Sequence, residues 1–119
     1  MNPYGVEALM AAYNDGEEWL EELKQYLFAN YNYLRVYFEE YLPEFPVATL
    51  EGTYLVWADC SVLNQSSDET VKTLLEKEKL WVNEGSLYGE AGEGFIRINI
   101  ACPRQQLIEG LNRLRRALK

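Results

Sequence analysis

The chain has 119 residues, 48% of them hydrophobic and 25% charged, which suits one ordinary domain. No stretch approaches the roughly 18 consecutive apolar residues of a membrane span. Net charge is −8 and lies in residues 1–59, where eleven acids face only Lys24 and Arg35, while residues 60–119 balance at +1. The acidic half argues against nucleic acid and anionic membranes as partners, and the absence of histidine excludes Ser–His and Cys–His catalysis within the chain.

The start, MNPYGVEALM, has neither a charged n-region nor a long apolar run, so no signal peptide is expected. Cys60 and Cys102 lack metal-type spacing and read as small apolar packing residues of a reduced, cytoplasmic chain. Residues 5–13 predict a short helix, with Val6, Leu9, Met10 and Tyr13 at helical spacing. Asp15 followed by Glu18 forms a candidate capping box for a long helix running to Leu42, where Pro43 ends it. Its stripe is Leu20, Leu23, Leu27, Tyr31, Leu34, Phe38 and Tyr41, with Trp19 and Tyr26 off the stripe.

Val47–Leu50 and Thr53–Asp59 are β-rich runs about Glu51-Gly52 and predict a hairpin. SSDETVKTLLEKEK predicts a further amphipathic helix, boxed by Ser66 and Glu69, with Val71, Leu74 and Leu75 on one face. LWVN reads as a short strand, EGSLYGEAGEG as a glycine-rich loop and FIRINIA as the third main strand. Pro103 sits at a helix N1 position, and Leu107, Leu111, Leu114 and Leu118 give the last helix its buried stripe. The basic end NRLRRALK suits the macrodipole of that helix without invoking RNA. The order implies an α+β fold, a small, mostly antiparallel sheet covered by helices.

Arg97 is the foremost candidate for chemistry. A charge inside an apolar strand must be paired to be tolerated. By strand alternation it shares a face with Phe95 and Asn99, while Ile96, Ile98 and Ile100 take the other. The residues alone leave two readings open: an internal ion pair with one of the nineteen acids, or a two-pronged grip on an external carboxylate. The loop GSLYGEAGEG could cradle phosphate through backbone N–H groups, but it matches neither GxGxxG nor a P-loop ending and reads as a turn-rich connection. Five tyrosines between residues 26 and 41 read as core or interface. The pairs Glu17-Glu18, Glu21-Glu22 and Glu39-Glu40 read as solvated helix faces, since neighbours on a helix diverge by about 100° and do not converge on a metal. No metal site is expected.

Two stretches together, NPYGVEALMAAYNDGEEWLEELKQYLFANYNYL and NEGSLYGEAGEGFIRINIACPR, resemble the C-terminal part of fold-type I pyridoxal-phosphate (PLP) enzymes. AAYNDGEEWL and TYLVWAD are similar to the class II aminotransferase-like carbon–sulfur lyases of the cystathionine β-lyase kind. The resemblance implies that residues 1–14 are a remnant of the last helix of a large domain and 15–119 the C-terminal small domain, its long helix bridging the two. It implies that Arg97 holds the α-carboxylate of an amino-acid substrate. It also implies a homodimer, with PLP in the full-length enzyme but not bound to this chain, because none of Lys24, Lys72, Lys77, Lys79 and Lys119 stands in the family's Schiff-base motif. No catalytic or cofactor-binding residue is then expected here, and the chain should not turn over substrate alone. Met10, Tyr13, Trp19 and Tyr26, which would face the absent half, are expected to be bare and to drive self-association. An aminotransferase using the same arginine is the alternative; a non-catalytic, acidic interaction module, with Arg97 in a structural ion pair, is the second.

Overall fold

A computed structural model describes residues 2–118. Four helices, α1 (Pro3–Asp15), α2 (Glu17–Tyr41), α3 (Ser67–Glu78) and α4 (Arg104–Leu118), surround three strands, β1 (Leu55–Asp59), β2 (Asn83–Glu84) and β3 (Phe95–Asn99). The sheet is antiparallel in the order β1-β3-β2, so β3 is central. This is the expected α+β arrangement.

Local chemistry sets most boundaries. The Asn2 side chain accepts the Tyr4 N–H at 2.9 Å and Pro3 opens α1, where a missing N–H costs nothing. The expected capping box at Asp15 does not form. Asp15 is instead the last residue of α1, and Gly16 caps α2 without a side-chain bond. Gly16 donates to Ala12 O at 3.1 Å, and a Cβ there would collide with that carbonyl. The backbone turns too tightly at this point for a side-chain cap one residue earlier to reach the new helix. The second box is half realised: Ser66 Oγ accepts the Glu69 N–H at 3.2 Å and starts α3.

The expected hairpin about Glu51-Gly52 is also corrected. Its first arm is reduced to one bridge, Val47 to Ala58, flanked by Asp59 N–H to Pro46 O at 2.8 Å and Ala48 N–H to Trp57 O at 2.9 Å. Thr53 sits at φ 64°, outside the extended region, so the second arm starts only at Leu55. β2 lies at Asn83–Glu84, sharing only Asn83 with the expected LWVN, and β3 stops at Asn99, short of FIRINIA.

The core lies between the inner face of the sheet and helices α2, α3 and α4. It comprises Leu34, Phe38 and Leu42, then Val56 and Ala58, then Leu74, Ile96 and Ile100, then Leu107, Leu111 and Leu114. Ile96 and Ile100 are fully buried and Ile98 is partly buried against the core, while Phe95, Arg97 and Asn99 take the other face. Burial on α2 is confined to Asn30–Phe38, and α1 buries nothing.

Candidate carboxylate-binding site

The central strand delivers Arg97 between two neighbours, paired with Trp57 of β1 and Asn83 of β2. Its start is pinned by the N-terminus of α3. The buried Ser67 hydroxyl accepts the Gly94 N–H at 2.8 Å, and the Ser67 N–H donates to Glu93 Oε1 at 2.7 Å. Its end is pinned by α2. The buried Asn30 amide donates to Ile100 O at 2.9 Å and Cys102 O at 3.1 Å, and Tyr26 OH donates to Cys102 O at 2.9 Å. Arg104 Nε closes this network on Asn30 Oδ1 at 2.7 Å, with its guanidinium 5.4 Å from the Tyr33 ring centre.

The Arg97 guanidinium has no carboxylate partner. Among the described residues the ion pairs are Lys24–Glu21, Arg35–Glu39, Arg113–Glu109 and Arg116–Glu78, none involving Arg97. Its Nε is also the one buried side-chain nitrogen or oxygen among them that lacks a hydrogen bond. Buried polar atoms are normally satisfied, and an unmet donor costs about 1–3 kcal/mol. What holds the group is an aromatic face: Arg97 Cζ lies 4.2 Å from the Tyr88 ring centre. Trp57 meets Tyr88 edge-on at 5.7 Å and Phe95 at 6.1 Å. An open groove of about 590 Å³, lined by Trp81, Asn83, Arg97, Asn99, Gln106 and Arg113 among others, runs between β3 and α4. Among the described residues, therefore, Arg97 makes none of the internal ion pairs that the sequence left open. A cation with unused donors stands next to an open groove.

The other candidates fall to background roles. The glycine-rich loop folds into two 3₁₀ turns, Gly85–Tyr88 and Glu90–Gly92, and a Cβ on Gly85 or Gly92 would strike the other's backbone. Four of its amides are spent internally: Gly89 on Ser86 O, Gly92 on Gly89 O, Glu93 on Glu90 O and Gly94 on Ser67 Oγ. None of these amides is left for a phosphate. Lys24, Lys72, Lys77 and Lys79 are exposed, and Lys119 lies outside the described residues. No lysine among the described residues is buried, so the chain offers no enclosed amine for PLP. Cys60 and Cys102 are free thiols that contact the core, as expected. Burial, with Asp59 adding to it, pushes the Cys60 thiol up to about 12, and burial also raises Cys102. Neither is poised as a thiolate nucleophile.

Trp57, Tyr88, Asn30 and Arg104 were not singled out in the sequence. Asn30 carried a faint signal, an amide one turn before Leu34 on the buried face of the helix. Trp57 and Tyr88 carried none, because their meeting over Arg97 depends on strand register and on the path of the loop.

No family model matches the chain. Individual relatives do. It is 36% identical over 118 residues to the cystathionine beta-lyase PatB of Bacillus subtilis, covering 99% of this chain and 30% of that protein. It is 33% identical to an aspartate aminotransferase of Pyrococcus horikoshii, covering 97% and 29%. Among solved structures, a PLP-bound protein of Clostridium difficile, described as an aminotransferase, superimposes with TM-score 0.94 at 41% identity over 99% of this chain and 30% of that one. The PLP-bound C-S lyase of Staphylococcus hominis gives 0.90 at 35% identity, over 98% and 31%. The chain thus spans about 30% of the length of the relatives it matches. Fold and sequence together define its class: it belongs to the fold-type I PLP-dependent aminotransferase and C–S lyase family and corresponds to the C-terminal domain of those enzymes.

Proposed function

We propose that this chain is the substrate-carboxylate-binding domain of a PLP-dependent C–S β-lyase acting on cysteine conjugates such as cystathionine. The observation that carries the proposal is the Arg97 guanidinium, displayed by the central strand without an acidic partner. A planar fork with unused donors matches a carboxylate in geometry and charge. Fixing that carboxylate orients the bonds at Cα before any bond breaks. In the reaction proposed for the whole enzyme, Cα loses a proton and the Cβ–S bond breaks. The sulfur leaves as a thiol, and water converts the remaining three-carbon unit to pyruvate and ammonia. The cofactor belongs to the remainder of the enzyme, and this domain alone is inactive.

The same reading makes residues 1–14 a remnant of the large domain's last helix and 15–119 the small domain, and the full-length enzyme a homodimer that works in the cytoplasm. Among the described residues no helix is long and apolar enough to cross a membrane. The aminotransferase alternative keeps Arg97 in the same role and is favoured by the Pyrococcus horikoshii relative.

The test is Arg97→Ala in the full-length enzyme, assayed for pyruvate release and for transamination. Loss of one charge-assisted pair should lower kcat/KM by about 3 kcal/mol, roughly 150-fold. Arg97→Lys should also be poor, because an ammonium cannot reproduce the fork. Unchanged kinetics in Arg97→Ala would remove the residue from the site, and transamination without pyruvate would select the alternative.

A further inference from the structure

We infer that Tyr88 is a positioning residue, whose ring holds the Arg97 guanidinium in the plane needed to present its N–H edge to a carboxylate. The inference rests on the reading of Arg97 as the carboxylate binder and goes beyond it to how the arginine is aimed. A long side chain without a bonding partner would otherwise sample several rotamers. An acidic partner could fix it, but only by consuming the donors that the ligand requires. An aromatic face restrains the plate through its π surface without consuming an N–H.

The structure has the parts for this. The guanidinium carbon sits 4.2 Å from the Tyr88 ring centre, within stacking range. Tyr88 is half exposed, yet it is braced edge-on by Trp57, which Phe95 braces in turn. The β1–β3 register sets Trp57 beside Arg97. The 3₁₀ turn Gly85–Tyr88, closed against Gly92, brings the Tyr88 ring back over the strand that follows. No hydrogen bond or ion pair to the guanidinium competes with this contact among the described residues.

Three variants in the full-length enzyme test it. Tyr88→Leu keeps apolar cover without a π face and should raise KM for the amino-acid substrate about tenfold with kcat within about threefold; Tyr88→Phe should leave both within about twofold. In an Arg97→Ala background, Tyr88→Leu should add less than about a further twofold, since the residue acts through the arginine. In the 119-residue chain itself, the Arg97 Nε–H proton should be shifted upfield by the ring in the native and Tyr88→Phe forms, and return toward its free position in Tyr88→Leu. An impaired Arg97→Ala enzyme combined with a normal Tyr88→Leu enzyme overturns the positioning role alone. So does an undiminished tenfold effect in the Arg97→Ala background, or an Nε–H signal indifferent to Tyr88→Leu. A normal Arg97→Ala enzyme removes both the carboxylate reading and the part given to Tyr88.

Discussion

The two ends of the molecule use the same kind of sequence to opposite effect. Helix α4 places leucines at helical spacing and buries Leu107, Leu111 and Leu114 in the core, packed against α3 and α2. Helix α1 and the first turns of α2 carry Leu9, Met10, Tyr13, Trp19 and Leu20 at comparable spacing and bury none of them. Tyr13 is 82% exposed and Trp19 66%. Periodicity states which face of a helix is apolar; it does not state whether the covering partner lies in the same chain. The expectation that Met10, Tyr13 and Trp19 stand bare agrees with their exposure, whereas Tyr26 is only partly so, its hydroxyl tied to Cys102 O.

The comparison can be broken most forcefully in the packed half. Leu34→Ala removes a fully buried side chain from the centre of the core and should destabilise the chain by about 3 kcal/mol, while Leu20→Ala on the same helix should cost less than about 0.5 kcal/mol. Paired urea titrations measure both, and equal losses would mean that the bare end is packed in solution. Asn30→Ala, at the boundary between the halves, strands the Ile100 carbonyl and the Arg104 guanidinium and should cost about 2 kcal/mol. A melting temperature unchanged in that variant would show that water replaces the amide freely.

A smaller effect comes from pH. The Cys60 thiol ordinarily titrates at 9.0 and is raised to about 12 in the folded chain by burial and then by Asp59. A group whose folded value lies above its unfolded value contributes its full stability below about 9 and loses it as pH rises toward 12. Native Cys60 should therefore resist alkylation at pH 8, and Cys60→Ala should flatten the alkaline fall in stability; rapid labelling of the folded chain at pH 8 would contradict this. The smallest change in stability is expected for Trp19→Ser, under about 0.5 kcal/mol. That variant should nevertheless reduce self-association in sedimentation experiments if the bare face drives it.

Much of this architecture was legible in the residues, for identifiable reasons. Ser66 before a helical stripe and the alternation around Arg97 act locally, and the structure follows them. The failures share a different cause. At Asp15 the backbone turned back on Ala12 one residue later than the box required, and at Thr53 a positive φ ended the strand early. Both outcomes depend on the path of the chain through space. The site divides in the same way. Arg97 was conspicuous because a charge in an apolar strand demands an explanation, and the absence of an acidic partner leaves that demand open to a ligand. The Tyr88–Trp57–Phe95 brace was invisible, since it brings β1, the glycine-rich loop and β3 together through strand register and the path of the loop.

The most direct test of Arg97 as the carboxylate holder compares a cysteine conjugate with its decarboxylated amine in the full-length enzyme and in Arg97→Ala. The native enzyme should prefer the carboxylate-bearing substrate by roughly 100-fold or more in kcat/KM, and the variant should lose most of that preference, because the discriminating pair is gone from both sides of the comparison. A variant that keeps the native preference would place the carboxylate on some other residue and contradict the account.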